Sequence, residues 1–261
     1  MALGAKNLTF GTTNTTSSAS VISGSGGALT KQGSGTFTTT GVNTYTGGTT
    51  VNAGTFALST TGTVASTGAV TVNAGSFDIS AITAASQTIG DLSGAGGTVA
   101  LGAKNLTFGT TNTTNSASVI SGTGAVTKQG SGTFTTTGVN TYTGGTTVSA
   151  GTFALSTTGT VASTGAVTVN AGSFDISAIT AASQTIGDLS GAGGTVALGA
   201  KNLTFGTTNT TSSASVISGT GAVTKQGSGT FTTTGVNTYT GGTTVSAGTF
   251  ALSTTGTVAS T

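Results

Sequence analysis

The sequence contains no cysteine, histidine, proline, tryptophan, arginine or glutamate. Without cysteine there are no disulfides and no thiol chemistry, and the redox compartment leaves no mark. Without histidine a serine or threonine nucleophile lacks its commonest base. Charged residues make up only 4 % of the chain. Compositional disorder couples low hydrophobicity to high net charge, and that charge is missing. With proline absent, the 46 glycines read as turns, not as linkers. No apolar run approaches the roughly 18 residues of a membrane span. Met1 leads straight into repeated sequence, with no basic region or apolar stretch of a signal peptide. It stands where Val99 and Val196 stand later, so we expect an added start codon on an internal fragment.

The charges that are present follow a repeat. Lysine occurs as Lys6 and Lys31, Lys104 and Lys128, Lys201 and Lys225; aspartate as Asp78 and Asp91, then Asp175 and Asp188. A complete repeat is neutral, and the formal charge of +2 reflects only the point in the repeat where the sequence stops. Nothing offers the clustered cations that a nucleic-acid backbone requires.

Ala2–Phe10 returns at Ala100–Phe108 and Ala197–Phe205, at offsets of 98 and 97 residues. One extra glycine in Ser25-Gly26-Gly27-Ala28 against Thr123-Gly124-Ala125 accounts for the difference. The expected organisation is one continuous unit over 1–261, with repeats 2–99, 100–196 and a truncated 197–261. Inside the repeat, apolar residues alternate. Phe153 and Leu155 interleave with Thr152, Ala154 and Ser156, and Val167 and Val169 with Thr168 and Asn170. A period of two places hydroxyls on one face and apolar side chains on the other. Val148–Leu155 and Val169–Ile176 align without a gap, each as strand, Ala-Gly corner, strand. Thr and Gly oppose helix, so the expectation is an all-β parallel β-helix.

Phenylalanine supplies a finer count. Phe10, Phe37, Phe56, Phe77, Phe108, Phe134, Phe153, Phe174, Phe205, Phe231 and Phe250 give about four turns per 97-residue repeat. With turns about 4.8 Å apart, the eleven phenylalanines predict an inward ladder along a rod of roughly 50 Å.

Gly27–Phe56 carries a more specific pattern, with Asn43-Thr44-Tyr45-Thr46-Gly47-Gly48 followed by Ala53-Gly54-Thr55. It recurs with Asn140, Tyr142, Gly144 and Gly145, and with Asn237, Tyr239, Gly241 and Gly242. This segment resembles the passenger-associated transport repeat of bacterial autotransporters, also described as the autotransporter-associated β-strand repeat. The resemblance implies a right-handed parallel β-helix, exported across the outer membrane and displayed at the bacterial surface or secreted. The implied role is that of a stalk or adhesin. The family's signal peptide and C-terminal barrel do not occur in this sequence, and the family often has Leu where Phe37, Phe134 and Phe231 stand.

Candidate sites are few. Asp175 and Asp188 lie thirteen residues apart and could form a catalytic pair only if their turns aligned; solvated strand or corner positions suit them better. Calcium would need more carboxylates than two per repeat. We therefore expect no enzyme, no cofactor and no metal. Tyr45, Tyr142 and Tyr239 could stack on sugars, though strand-end packing explains them more simply. Asn73 and Asn170 sit beside Ala-Gly corners and suit corner hydrogen bonds. Thr36-Phe37-Thr38 and Thr44-Tyr45-Thr46 superficially fit an ice-binding rank. An outer-membrane barrel should carry aromatic girdles, which three tyrosines and no tryptophan do not supply. The expected partners are the chain itself, end to end or laterally, or a cell-surface or polysaccharide ligand. Uncapped terminal turns would favour a secreted fibre.

Overall fold

The computed structural model describes residues 1–11 and 13–259. Among them are thirty strands and no helix. Every strand pairing is parallel, and the coil runs through about twelve turns. A parallel neighbour must be reached by a crossover, and here the crossover is the rest of one turn. Leu8, Leu29, Thr49, Val70 and Leu92 stack in successive turns on one face. Phe37, Phe56, Phe77, Val99 and Ile120 stack on the next.

Alternation does the sorting predicted from the sequence. Strand Val70–Val72 reads buried, half-buried, buried, and strand Thr152–Thr157 buries Phe153 and Leu155 while Thr152 and Ala154 face outward. The two segments that align in sequence pair in the same register from Val148 with Val169 to Phe153 with Phe174. One irregularity recurs. Ala57 opposes Asp78, but Ser59 opposes Ala81, a bulge that bends the strand toward its corner. Thr60 closes it with a left-handed φ of 52°.

The expected count of about four turns per repeat is roughly met, and the strand positions refine it. From Leu29 to its equivalent Val126 the chain lays down twelve strands, with single bridges at Val42 and Thr63 between them. Fourteen positions on three faces make four and two-thirds turns, about 21 residues each. Equivalent strands therefore fall on successive faces, and Leu29–Lys31, Val126–Lys128 and Val223–Lys225 belong to three different sheets. Each repeat advances the rod by about 22 Å and rotates its features by a third of a turn.

This phase corrects the single aromatic ladder. Phe10, Phe37, Phe56 and Phe77 form one stack, with centroids 4.5–6.3 Å apart. Phe108, Phe134, Phe153 and Phe174 form a second, and Phe205, Phe231 and Phe250 a third. Above Phe77 the column continues as Val99 and Ile120. The aromatic stack then restarts on another face, with Phe134 and Phe153 paired on strands that join the Leu8 column through the Gly94–Ser116 bridge. Phe10, Phe37 and Phe250 are only partly buried, near the two ends of the coil.

Candidate functional site

The asparagine and tyrosine of the recurring motif point inward, and the asparagine spans turns. Asn43 is buried at a corner with both amide groups engaged. Its Oδ1 accepts from Ile22 N–H in the turn below (2.9 Å), and its Nδ2 donates to Thr63 O in the turn above (2.9 Å). Nδ2 also donates to Gly41 O and Thr39 Oγ1 within its own turn (3.0 and 3.3 Å). Asn140 and Asn237 repeat the arrangement. An asparagine placed this way supplies hydrogen bonds where the coil bends and the backbone ladder lapses.

Tyr45 fills the same corner, and its hydroxyl meets Thr49 Oγ1 at 2.6 Å. Tyr142 and Tyr239 make the same bond to Thr146 and Thr243. All three rings are buried, so packing is their role and no face remains for a sugar. Burial pushes the Tyr45 hydroxyl up to about 12, and those of Tyr142 and Tyr239 in the same direction, against the smaller opposing effect of the threonine bond. Gly47 and Gly48 then turn the chain. A Cβ on Gly47 would lie 2.4 Å from Gly26 O, and Gly48 has φ +93°, a combination only glycine meets.

Charge lies where the sequence reading did not place it. Lys31, Lys128 and Lys225 are 1 % exposed. Lys128 Nζ donates to Gln129 O and Gly130 O (2.7 and 2.9 Å). Lys31 adds a third carbonyl, Ala53 O (3.2 Å), to its own pair, and Lys225 bonds Gln226 O and Gly227 O. Burial holds the Lys31 and Lys128 ammonium groups below their ordinary range, for Lys128 against the opposing attraction of Asp91. The alternation in Leu29-Thr30-Lys31, where Leu29 faces in and Thr30 out, is the signal that could have shown Lys31 as an inward residue.

The aspartates separate into two kinds. Asp91 and Asp188 are 7 % exposed. Asp91 accepts from Thr110 N–H (2.9 Å), Thr110 Oγ1 (2.8 Å) and Asn112 Nδ2 (2.7 Å) in the next turn. Asp188 does the same with Thr207 and Asn209. Asp78 and Asp175 face outward and cap Ser80 N–H and Ser177 N–H. Asp175 and Asp188 thus serve different strands and are not brought together as a pair. No group of three metal-binding side chains occurs among the described residues.

Asn73 keeps its corner role, with Nδ2 donating to Asn52 Oδ1 at 2.9 Å. The threonine ranks are single. Thr9, Thr30, Thr50 and Thr71 align outward, but the column above Thr38 continues as Ala57 and Asp78. The paired rank suggested for ice binding is therefore one turn high.

The passenger-associated-transport-repeat matches the chain three times, at residues 29–58, 126–155 and 223–252. Comparison with curated proteins and with solved structures returns no match. Each matched segment begins at the strand of the buried lysine and contains the asparagine–tyrosine–diglycine corner. The chain thus carries three passenger-associated-transport-repeats, wound into a parallel β-solenoid.

Proposed function

We propose that this chain is a non-catalytic rod displayed outside a bacterial cell, serving as a stalk or adhesin scaffold. The observation that carries the reading is the orientation of the motif. Its asparagine holds one turn to the next, its tyrosine and lysine are buried and bonded inside the coil, and the outward positions are chiefly hydroxyls. A rod of about twelve turns is about 58 Å long at the inter-turn spacing. Antibodies raised against the chain should label intact cells of the source bacterium, and external protease should remove the label. Labelling that appears only after the cells are permeabilised would end the reading.

A further inference from the structure

Six asparagines carry a pattern that the corner bonds leave unused. Asparagine, any residue but proline, then serine or threonine is the acceptor triplet for N-linked sugar. Each repeat holds two: Asn7-Leu8-Thr9 and Asn14-Thr15-Thr16, Asn105-Leu106-Thr107 and Asn112-Thr113-Thr114, Asn202-Leu203-Thr204 and Asn209-Thr210-Thr211. The buried motif asparagines are outside the pattern, since Asn43, Asn140 and Asn237 have tyrosine two places on. In a chain this rich in threonine the triplet alone decides little, and geometry has to separate the copies.

The first triplet of each repeat lies open. Strand Asn105–Phe108 reads exposed, buried, half-buried, buried, so Asn105 and Thr107 share the outward face. Asn105 Oδ1 accepts from Ala125 N–H in the next turn at 2.9 Å, which fixes the side chain, while its Nδ2 meets no acceptor among the described residues. Its neighbours along the stack are small, Ser86 below and Ala125 above. Asn202 repeats the arrangement, with Oδ1 on Ala222 N–H at 2.9 Å and Ser183 below. Exposed Asn7 accepts from Ala28 N–H at 3.3 Å. The second triplet is closed off where an aspartate precedes it. Asn112 Nδ2 donates to Asp91 Oδ2 at 2.7 Å, and Asn209 Nδ2 to Asp188 Oδ2 at 2.8 Å. Charge divides the two kinds in the same way. Lys6, Lys104 and Lys201, none of them buried, directly precede the open asparagines, whereas a carboxylate holds the closed ones.

We propose that Asn7, Asn105 and Asn202 are acceptor sites for N-linked sugar, taken from a diphosphate-activated donor by a separate glycosyltransferase. In the transfer, Nδ2 bonds to the anomeric carbon of the sugar and the bond from that carbon to the diphosphate oxygen breaks. The diphosphate leaves with the electron pair, and the amide proton passes to a base of the transferase. A lysine beside the acceptor suits the charge of that donor. The product leaves the coil intact, because Nδ2 gives up no bond and Oδ1 keeps its own. A sugar on Asn112 would have to share the amide with Asp91. The strands at the three open sites belong to three different sheets, so the sugars wind around the rod, one for each advance of about 22 Å.

The test is intact-mass and glycopeptide analysis of the chain isolated from its source bacterium. Sugar is expected on Asn7, Asn105 and Asn202, and none on Asn112 or Asn209. A single sugar at each site marks a nucleotide-linked donor and a preassembled oligosaccharide a lipid-linked one; both support the proposal. Asn105→Gln should remove one mass increment. Thr107→Ala should remove the same increment with Asn105 still in place, and Thr107→Ser should retain it. These side chains face outward, so a thermal melt like that of the parent is expected for each variant. Unmodified protein, sugar confined to serine and threonine hydroxyls, or equal occupancy of Asn112 and Asn209 would each overturn the proposal. The readout is mass, so such a result is distinct from a failure of surface labelling.

Discussion

At the residue scale, the motif asparagines concentrate four hydrogen bonds on one side chain. Asn140→Ala would leave Ile120 N–H and Thr160 O without their side-chain partner, among the bonds at 2.9–3.3 Å that the amide makes. Each buried polar group so stranded costs about 1–3 kcal/mol, so a loss of about 3 kcal/mol in urea unfolding is expected, whereas Asn73→Ala at the exposed corner should cost well under half of that. The buried titrating groups predict a pH dependence with two opposite limbs. The folded Tyr45 value of about 12 lies above its ordinary 10.0, so that stability is complete below pH 10 and is lost as pH rises through about 12. Lys31 and Lys128 are lowered from 10.5; the cost of burying their charge fades as pH rises toward that value. The urea midpoint should therefore hold or rise slightly up to about pH 10 and then fall steeply by pH 12. Replacing the three tyrosines with phenylalanine should flatten the fall.

At the element scale, a strand's worth depends on where it sits in its aromatic stack. Phe153 lies between Phe134 and Phe174 at 5.3 and 6.3 Å and is fully buried. Phe153→Ala should destabilise the neighbouring turns by about 3–5 kcal/mol. Phe250→Ala, on a partly buried ring near the end of the coil, should cost about half as much. The strands themselves were legible in the sequence because alternation is a local property: Thr152–Leu155 and Ser173–Ile176 could be aligned before any pairing was known. The buried charges were less legible. Lys128 enters the charge balance of the repeat like any surface lysine, although Val126-Thr127-Lys128 shows the same in-out-in order as Val70-Thr71-Val72. Asp188 gave no such signal, because a corner residue has no alternation to betray its direction, and its partners Thr207 and Asn209 come from the next turn.

At the scale of the whole molecule, the phase of the repeat could not be read from the phenylalanines. Phe10, Phe108 and Phe205 pair with Lys31, Lys128 and Lys225 on the strands of the following turn, whereas Phe37, Phe134 and Phe231 lie on the next face, so the phenylalanines give the number of turns only approximately. What sets the phase is the number of strand positions, and the extra glycine of the first repeat shows how it is protected. Leu8 pairs with Leu29 across 21 residues and Leu106 with Val126 across 20, yet both Phe37–Phe56 and Phe134–Phe153 pair across 19. The insertion is absorbed at one corner, and no side chain changes face. A glycine inserted beside Gly124 should therefore cost less than about 1 kcal/mol, since loop closure depends weakly on length. The same residue inserted within Thr152–Thr157 would move Leu155 from the interior to the surface and Ser156 inward, because a one-residue slip inverts every side chain beyond it. Circular dichroism melts of the two variants should differ by many degrees. Equal melting would mean that register is not fixed by the buried face, and the third-of-a-turn rotation between repeats would have no physical basis.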